Sequence, residues 1–375
     1  MAAVDRVLVV NAGSSSLKLR VLDPADTVAA SADLPAPRGS ADQAAIKEAI
    51  GSFGPVDVTA HRIVHGGTVY RSAVLVDDRV RQRLEALTDL APLHQPKSLA
   101  ALDAVSAELP TVPAVACFDT AFHASIPDAA STYALPPEWR ERWALRRYGF
   151  HGLSHAYVSR RAGELLGRPD LRIVTCHLGA GASLCAVRAG RSVDTTMGFT
   201  PLDGLVMATR SGSVDPGLML WLEEHAGTPP SELAATLERR SGLLGLAGTA
   251  DMREVLARAA AGDARAELAR EVYLHRLRGL IASMASAMDG LDALVFAGGV
   301  GENSSEIRAR AMDGLGFLGV RCDLARNSAG SDDREIGTDD ASVRALVIAA
   351  REDLQIVREV QIVREVRQVR EVLGR

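Results

Sequence analysis

The sequence predicts an α/β fold built from two duplicated halves, and three observations lead there. Short apolar strands alternate with helical stretches along the chain. Three strands run into glycine turns, at Gly13, at Gly179–Gly181 and at Gly298–Gly301. Gly13–Val21 (GSSSLKLRV) also matches Ala180–Arg188 (AGASLCAVR) when Ser16-Leu17 is aligned with Ser183-Leu184, each reading as strand, small-residue turn and second strand. With 375 residues there is room for about two domains.

In order, Val7–Val10 and Leu17–Leu22 read as a hairpin. Ala41–Ser52 reads as a helix, Val56–Val64 and Ala73–Val76 as strands, and Asp78–Leu90 and Pro96–Leu109 as helices, with Pro96 suited to a first turn. The apolar run Val112–Phe118 reads as a buried strand. A second block begins near Tyr148. Ser154–Leu166 is helical and stops at Gly167. Ile173–His177, Ser183–Val187 and Arg191–Asp194 are strands joined by glycine turns. Long helical patterns follow, the longest from Ala264 to about Met288. Leu291–Phe296 is a strand ending in the glycine turn Gly298–Gly301, Asn303–Leu315 is a helix, and Val343–Ile348 is a last strand before a C-terminal helix. In that helix QIVREV occurs twice, at Gln355–Val360 and Gln361–Val366. A valine every third residue drifts around a helix, which argues against a coiled coil and predicts a frayed, dispensable end.

Net charge is −5, with 47% hydrophobic and 24% charged residues. That balance is globular and excludes a protein that coats nucleic acid or an anionic membrane surface. No apolar run reaches the ~18–20 residues that span a bilayer. The N-terminus reads as a strand entering a turn and lacks the pattern of a signal peptide. Cys117, Cys176, Cys185 and Cys322 show no paired spacing, so reduced thiols and a cytoplasmic location are expected.

The chemistry-bearing residues cluster at the turns. Asn11–Lys18 offers small residues, hydroxyls, exposed N–H groups and one of only three lysines, a set suited to polyphosphate. It lacks the GxxxxGK[ST] spacing of a P-loop. His177–Ser183 and Gly298–Asn303 let backbone approach a ligand in the same way. Arg62 in HRIVHGG, His151 in RYGFHG and Arg210 in TRSGS stand among glycines, and arginine presents a planar fork to carboxylate or phosphate. Taken singly, each of these suits a structural side chain as well as a functional one. With no HxH, HExxH or Cys/His spacing, a metal would be bound by hard oxygen ligands.

Nine segments in order resemble the acetate kinase family of short-chain carboxylate kinases, in the superfamily that also holds sugar kinases and actin. They are VLVVNAGSSSLK, HRIVHGG, LAPLH, CFDTAFH, YGFHGLSH, CHLGAGAS, MGFTPLDGLVMATRSG, SGLLGLAG with the following ADMRE, and FAGGVGENSSEIR. The resemblance runs nearly unbroken to about residue 354. It implies two actin-like, ribonuclease H-like domains, 1–123 plus 354–375 and 124–353, with the active site in the cleft between them. It implies reversible transfer of the ATP γ-phosphoryl group to acetate, with Mg²⁺ (or Mn²⁺) as cofactor, in a homodimer. The alternatives are a propionate or butyrate kinase, and a nucleotide-binding protein without catalysis.

Residue by residue, the resemblance implies that Arg62 binds the carboxylate and that Val64, Leu93, Phe150 and Pro201 line a small apolar pocket for the acyl group. Asp119 would order the Mg²⁺ region, and His151 and Arg210 would hold the transferring phosphoryl group. Ser14, Ser16, Lys18, His177, Gly179, Gly181, Asp251, Arg253, Gly299, Val300, Gly301 and Asn303 would contact the nucleotide. Asn11 and Glu352 would serve the metal, with Asp353 next to Glu352 as a second register. The chain departs from the family pattern at Ala180, usually Asn, at Ala208, usually Gly, at Gln95, usually Asn, and along Ala349–Asp353.

Overall fold

The computed structural model describes residues 6–13, 16–36, 41–92 and 94–373, with side chains to Arg367. It divides into two units. The first comprises Met1–Ala124, Gly152–Tyr157 and Arg351–Arg375, and the second comprises Ser125–His151 and Val158–Ala350.

The first unit holds strands β1 (Val7–Ala12), β2 (Ser16–Leu22), β3 (Val28–Pro35), β4 (Val58–Ile63), β5 (Val74–Leu75) and β6 (Ala114–Phe118). Their order in the sheet is β3-β2-β1-β4-β6-β5. β1, β4 and β6 run parallel, and β2, β3 and β5 are antiparallel to their neighbours. The second unit holds β7 (Arg172–Leu178), β8 (Ala182–Arg188), β9 (Arg191–Thr195), β10 (Ala293–Ala297), β11 (Arg334–Glu335) and β12 (Arg344–Val347). Its sheet reads β9-β8-β7-β10-β12-β11 with the same pattern of parallel and antiparallel pairs. The duplication suggested by the two hairpins therefore extends to all six strands of each sheet.

Strand periodicity positions the first site. Alternate residues of a strand share a face. In β1 that face carries Val7, Val9 and Asn11; in β4, Val58, Ala60 and Arg62; in β6 and the residue after it, Val115, Cys117 and Asp119. The apolar members pack against Ile356, Val357 and Val360 of the C-terminal helix Glu352–Leu373. Each buried valine or isoleucine among them stabilises by about 1.5–3 kcal/mol. The helix is thereby fixed with Glu352 in its first turn. The opposite face packs on helices Gln43–Phe53 and Gln95–Glu108 through Leu8, Val10, Leu19, Ile46, Ile50 and Val105.

Several expectations need correction. β3 was not expected: its exposed Ala/Ser/Asp-rich edge carries little apolar signal. The helix expected over Asp78–Leu90 ends at Glu85 and resumes as one 3₁₀ turn, Thr88–Leu90. The region before the second block holds short helices, Asp128–Ser131 and Pro137–Trp143, that carry no periodic signal. The glycine run after β10 is not a turn but the helix Gly298–Asn303, followed by Ser305–Asp313. The C-terminal repeat is helical to Leu373 instead of frayed, while its second copy drifts outward, with Ile362 and Val366 exposed. Among the described residues no helix is long and apolar enough to cross a membrane, and all four cysteines are free thiols.

Candidate active site

In the first unit the carboxyl ends of β1, β4 and β6 bring Asn11, Arg62 and Asp119 together, the usual place for a site in such sheets. Arg62 grips Asp119 with both arms, Nε to Oδ1 at 2.9 Å and Nη2 to Oδ2 at 2.6 Å. Its third nitrogen, Nη1, donates to Asn11 Oδ1 at 3.1 Å and lies 3.7 Å from Glu352 Oε2. Asn11 Nδ2 in turn reaches Glu352 Oε2 at 3.5 Å. Burial disfavours the charge on Arg62, but Asp119 and Glu352 more than offset it and its pKa is raised. Asp119 is raised too, by burial and by Glu352, against the opposing pull of Arg62. Asp353 pairs with Arg351 instead, at 2.9 Å, so the acidic residue facing this cluster is Glu352.

Gly152, at the start of helix Gly152–Leu166, donates its N–H to the Asp119 carbonyl at 2.8 Å. A Cβ there would stand 2.2 Å from that oxygen, so only glycine allows the contact. Ser16 opens β2, where its carbonyl accepts from Gly13 N–H at 2.8 Å. Lys18 is exposed and directly opposite Asn11 in the β1–β2 register, on the same face. Val64 follows β4 and is buried. Ser14 and Leu93 lie outside the described residues.

The second unit presents a different chemistry. The β7–β8 turn closes with Gly179 N–H on the Gly181 carbonyl at 3.0 Å. A Cβ on Gly181 would lie 3.3 Å from Arg210 Nη1 and 3.4 Å from His151 Nε2, so the glycine leaves open the space on which these two nitrogens converge. His151 Nδ1 is 2.9 Å from Ser183 Oγ, and the His151 and His177 rings lie 4.4 Å apart. His151 also sits at φ +56°, a left-handed conformation uncommon for a side-chain-bearing residue and concentrated at functional sites. Arg210 bonds Pro201 O at 3.3 Å, and burial lowers its pKa against a smaller pull from Glu238. Phe150 is buried in this unit, 1% exposed.

Beside the turn opens a cavity of about 880 Å³. Of the expected nucleotide residues, Gly179, Asp251, Arg253, Gly299, Val300 and Asn303 line it, as do the substituted positions Ala180 and Ala208. Asp251 caps helix Met252–Ala260, and the exposed Arg253 folds back on it at 2.6 Å, holding the Asp251 pKa down to about 2. Gly301 is buried and does not line the cavity. Sequence reasoning missed Thr209, Leu243, Met252, Leu256, Tyr273 and Ser304 in the wall. Thr209, Leu243, Met252 and Ser304 stand inside the segments that carry the resemblance without being singled out there, and Leu256 and Tyr273 are ordinary helix residues.

Comparison with known proteins agrees in sequence and fold. The model of the acetokinase family matches residues 41–358. An acetate kinase from Microcystis aeruginosa is 48% identical over 83% of this chain and 78% of its own. One from Shouchella clausii is 41% identical over 94% and 98%. Among solved structures, a Francisella tularensis propionate kinase superposes with a TM-score of 0.88 at 35% identity, covering 95% of this chain and 98% of its own. Porphyromonas gingivalis acetate kinase gives 0.88 at 33%, covering 96% and 99%. The expected two-domain actin-like α/β class stands on these neighbours and on the repeated strand order.

Proposed function

Because the chain belongs to the acetokinase family, we propose that it is an acetate kinase, catalysing ATP + acetate ⇌ ADP + acetyl phosphate. The observation that carries the residue assignment is the convergence of Arg210 Nη1 and His151 Nε2 over Gly181, beside a cavity large enough for a nucleotide.

The acceptor is a carboxylate and is already ionised at pH 7, so no general base is required. The work left to the protein is to bring negative groups together and stabilise the charge that moves. Arg62, its plane fixed by the two-armed bond to Asp119, offers Nη1 to the acid. Asp119 then acts as a positioning residue, since both its oxygens already hold Arg62. In the tautomer proposed for His151, Nδ1 accepts from the Ser183 hydroxyl 2.9 Å away and Nε2–H donates to a phosphoryl oxygen. Arg210 adds a charge with no ion-pair partner among the described residues, so its field is directed at the ligand.

The donor set fits Mg²⁺. Two carboxylates and an amide oxygen face one guanidinium, and the pKa of Asp119 is raised by burial first and by the Glu352 charge after it. So few protein oxygens suit a cation that keeps most of its waters. Glu352, ordered by Asn11, would hold Mg²⁺, which when bound supplies charge neutralisation for the phosphates. Val64, which follows the strand of Arg62, would contact the acyl group; one methylene is worth only ~1–3 kcal/mol, so propionate is a natural second substrate. The reduced thiols suit the cytoplasm, and a homodimer follows the family resemblance.

The test is acyl phosphate formation, trapped with hydroxylamine, from purified protein, ATP, Mg²⁺ and a panel of C2–C4 acids. Acid-dependent formation, greatest with acetate, is the expected result. Nucleotide binding without acid-dependent turnover would leave only a nucleotide-binding protein.

A further inference from the structure

We propose that Arg308 and Glu302 are positioning residues for the nucleotide, acting through the glycine-rich helix Gly298–Asn303 that they clamp at its two ends. This rests on the reading that the 880 Å³ cavity takes ATP. Three of that helix's six residues are glycine. Glycine is the poorest helix former after proline, and so short a helix is unstable by itself. Yet its outer residues Gly299, Val300 and Asn303 form part of the cavity wall. Something else must hold it.

The accounting of its backbone groups shows what does. The last carbonyls of any helix lack partners within it. Here Val300 O accepts from Ser304 N–H at 2.9 Å. Gly301 O and Glu302 O both accept from Arg308 Nη1, each at 2.8 Å. The rest of the guanidinium is anchored away from the cavity, Nε on Asn327 Oδ1 at 2.7 Å and Nη2 on Asn327 O at 2.6 Å. Asn327 is itself tied to Ser305 O at 2.8 Å. At the other end Glu302 Oε1 accepts from Gly298 N–H and from Ala350 N–H, both at 2.9 Å. Asn303 Nδ2 closes the outer side on Gly299 O at 2.9 Å.

Among the described residues Arg308 is the largest fully buried side chain, 1% exposed, and it forms no ion pair. Its counter-charge is the negative end of the helix dipole. Burial, helped by Arg334, lowers its pKa to about 10, so it stays charged at neutral pH. A charge kept at that cost, spent on two carbonyls of a cavity-wall helix, sets the position of Gly299, Val300 and Asn303 relative to the ligand.

The test compares wild type, Arg308→Met and Arg308→Lys by ADP calorimetry and by steady-state kinetics in ATP and acetate. Arg308→Met is expected to weaken ADP binding and raise the ATP KM by tenfold or more, with the acetate KM within twofold. Arg308→Lys, which keeps the charge but not the fork, should fall between. A folded Arg308→Met with wild-type ADP affinity overturns the proposal, as does equal damage to both KM values. Should Arg308→Met fail to fold, Arg308→Lys decides: a threefold or greater loss of ADP affinity supports the clamp, and none overturns it. Wild type that does not bind ADP at all removes the underlying nucleotide reading, an outcome separable from failure of the clamp alone.

Discussion

Asn11, Arg62 and Asp119 end three neighbouring strands of the first sheet. Aligning the hairpins on Ser16 and Ser183, the matching positions of the second sheet are Thr175, Val295 and Ile348, all buried. The correspondence is detailed: Asp119 N–H bonds Ile63 O at 3.1 Å, and Ile348 N–H bonds Phe296 O at 3.0 Å, each one residue past its strand. One framework therefore ends in an ion cluster in one unit and in a buried, uncharged set in the other, two apolar residues and a threonine bonded to Cys185 O. The second unit carries its polar groups on the β7–β8 turn and on loops instead, through His177, His151 and Arg210. The difference teaches that the sheet supplies places, and that side chains of opposite character can occupy equivalent places without changing strand order. A duplicated fold can thus carry a different chemistry in each half.

The largest expected effect tests the polar groups of the second unit. His151→Ala and Arg210→Ala should each lower kcat by about 10²–10³-fold, the usual loss for one donor to a developing charge. Substrate KM values should change far less, because the interaction belongs to the transition state. Stopped-time acyl hydroxamate assays measure this, and near-normal kcat would show both side chains to be structural.

A smaller effect tests the first sheet's interior. His61, matched by Leu294 in the second sheet, is buried with Nε2 3.0 Å from Thr59 Oγ1. Burial lowers its pKa from 6.5 to about 4. The unfolded chain therefore binds a proton that the folded one refuses between those values, and stability falls as pH falls through that window. The slope from this residue is at most about 1.4 kcal/mol per pH unit. His61→Leu should flatten that part of the urea-denaturation profile between pH 6.5 and 4; an unchanged slope would contradict it.

The smallest effect sharpens the nucleotide side. Ala180 is exposed at the cavity wall, where the family pattern has asparagine. Ala180→Asn adds an amide donor, and the cost of fixing its rotamer limits the gain to a few-fold in ATP KM. Equal or weaker affinity would mean that a neighbouring group already makes the contact.

How much of this was legible in the sequence depends on whether a position is set by local pattern or by assembly. Asp119 was marked only by the family resemblance, whereas the hairpins and the places of Asn11 and Arg62 beside glycine turns follow from alternation and short motifs. The two-armed Arg62–Asp119 bond does not, because the residues are 57 positions apart and meet only through strand order. Glycine spacing alone marked Gly298–Gly301 as a turn; its helical form depends on Arg308 and Glu302, whose partners lie outside the motif. The choice of Glu352 over Asp353 likewise needed the packing of Ile356, Val357 and Val360 to fix the helix's rotation.

The central claim is that the ion cluster of the first unit serves the acid and the second unit's cavity serves the nucleotide. ADP calorimetry on Arg62→Ala, paired with its acetate KM, tests that division most directly. Losing a charged, partly desolvated pair costs ~2–5 kcal/mol, so the acetate KM should rise at least about thirtyfold while the ADP Kd stays within twofold of wild type. Loss of ADP affinity with an unchanged acetate KM would contradict the account.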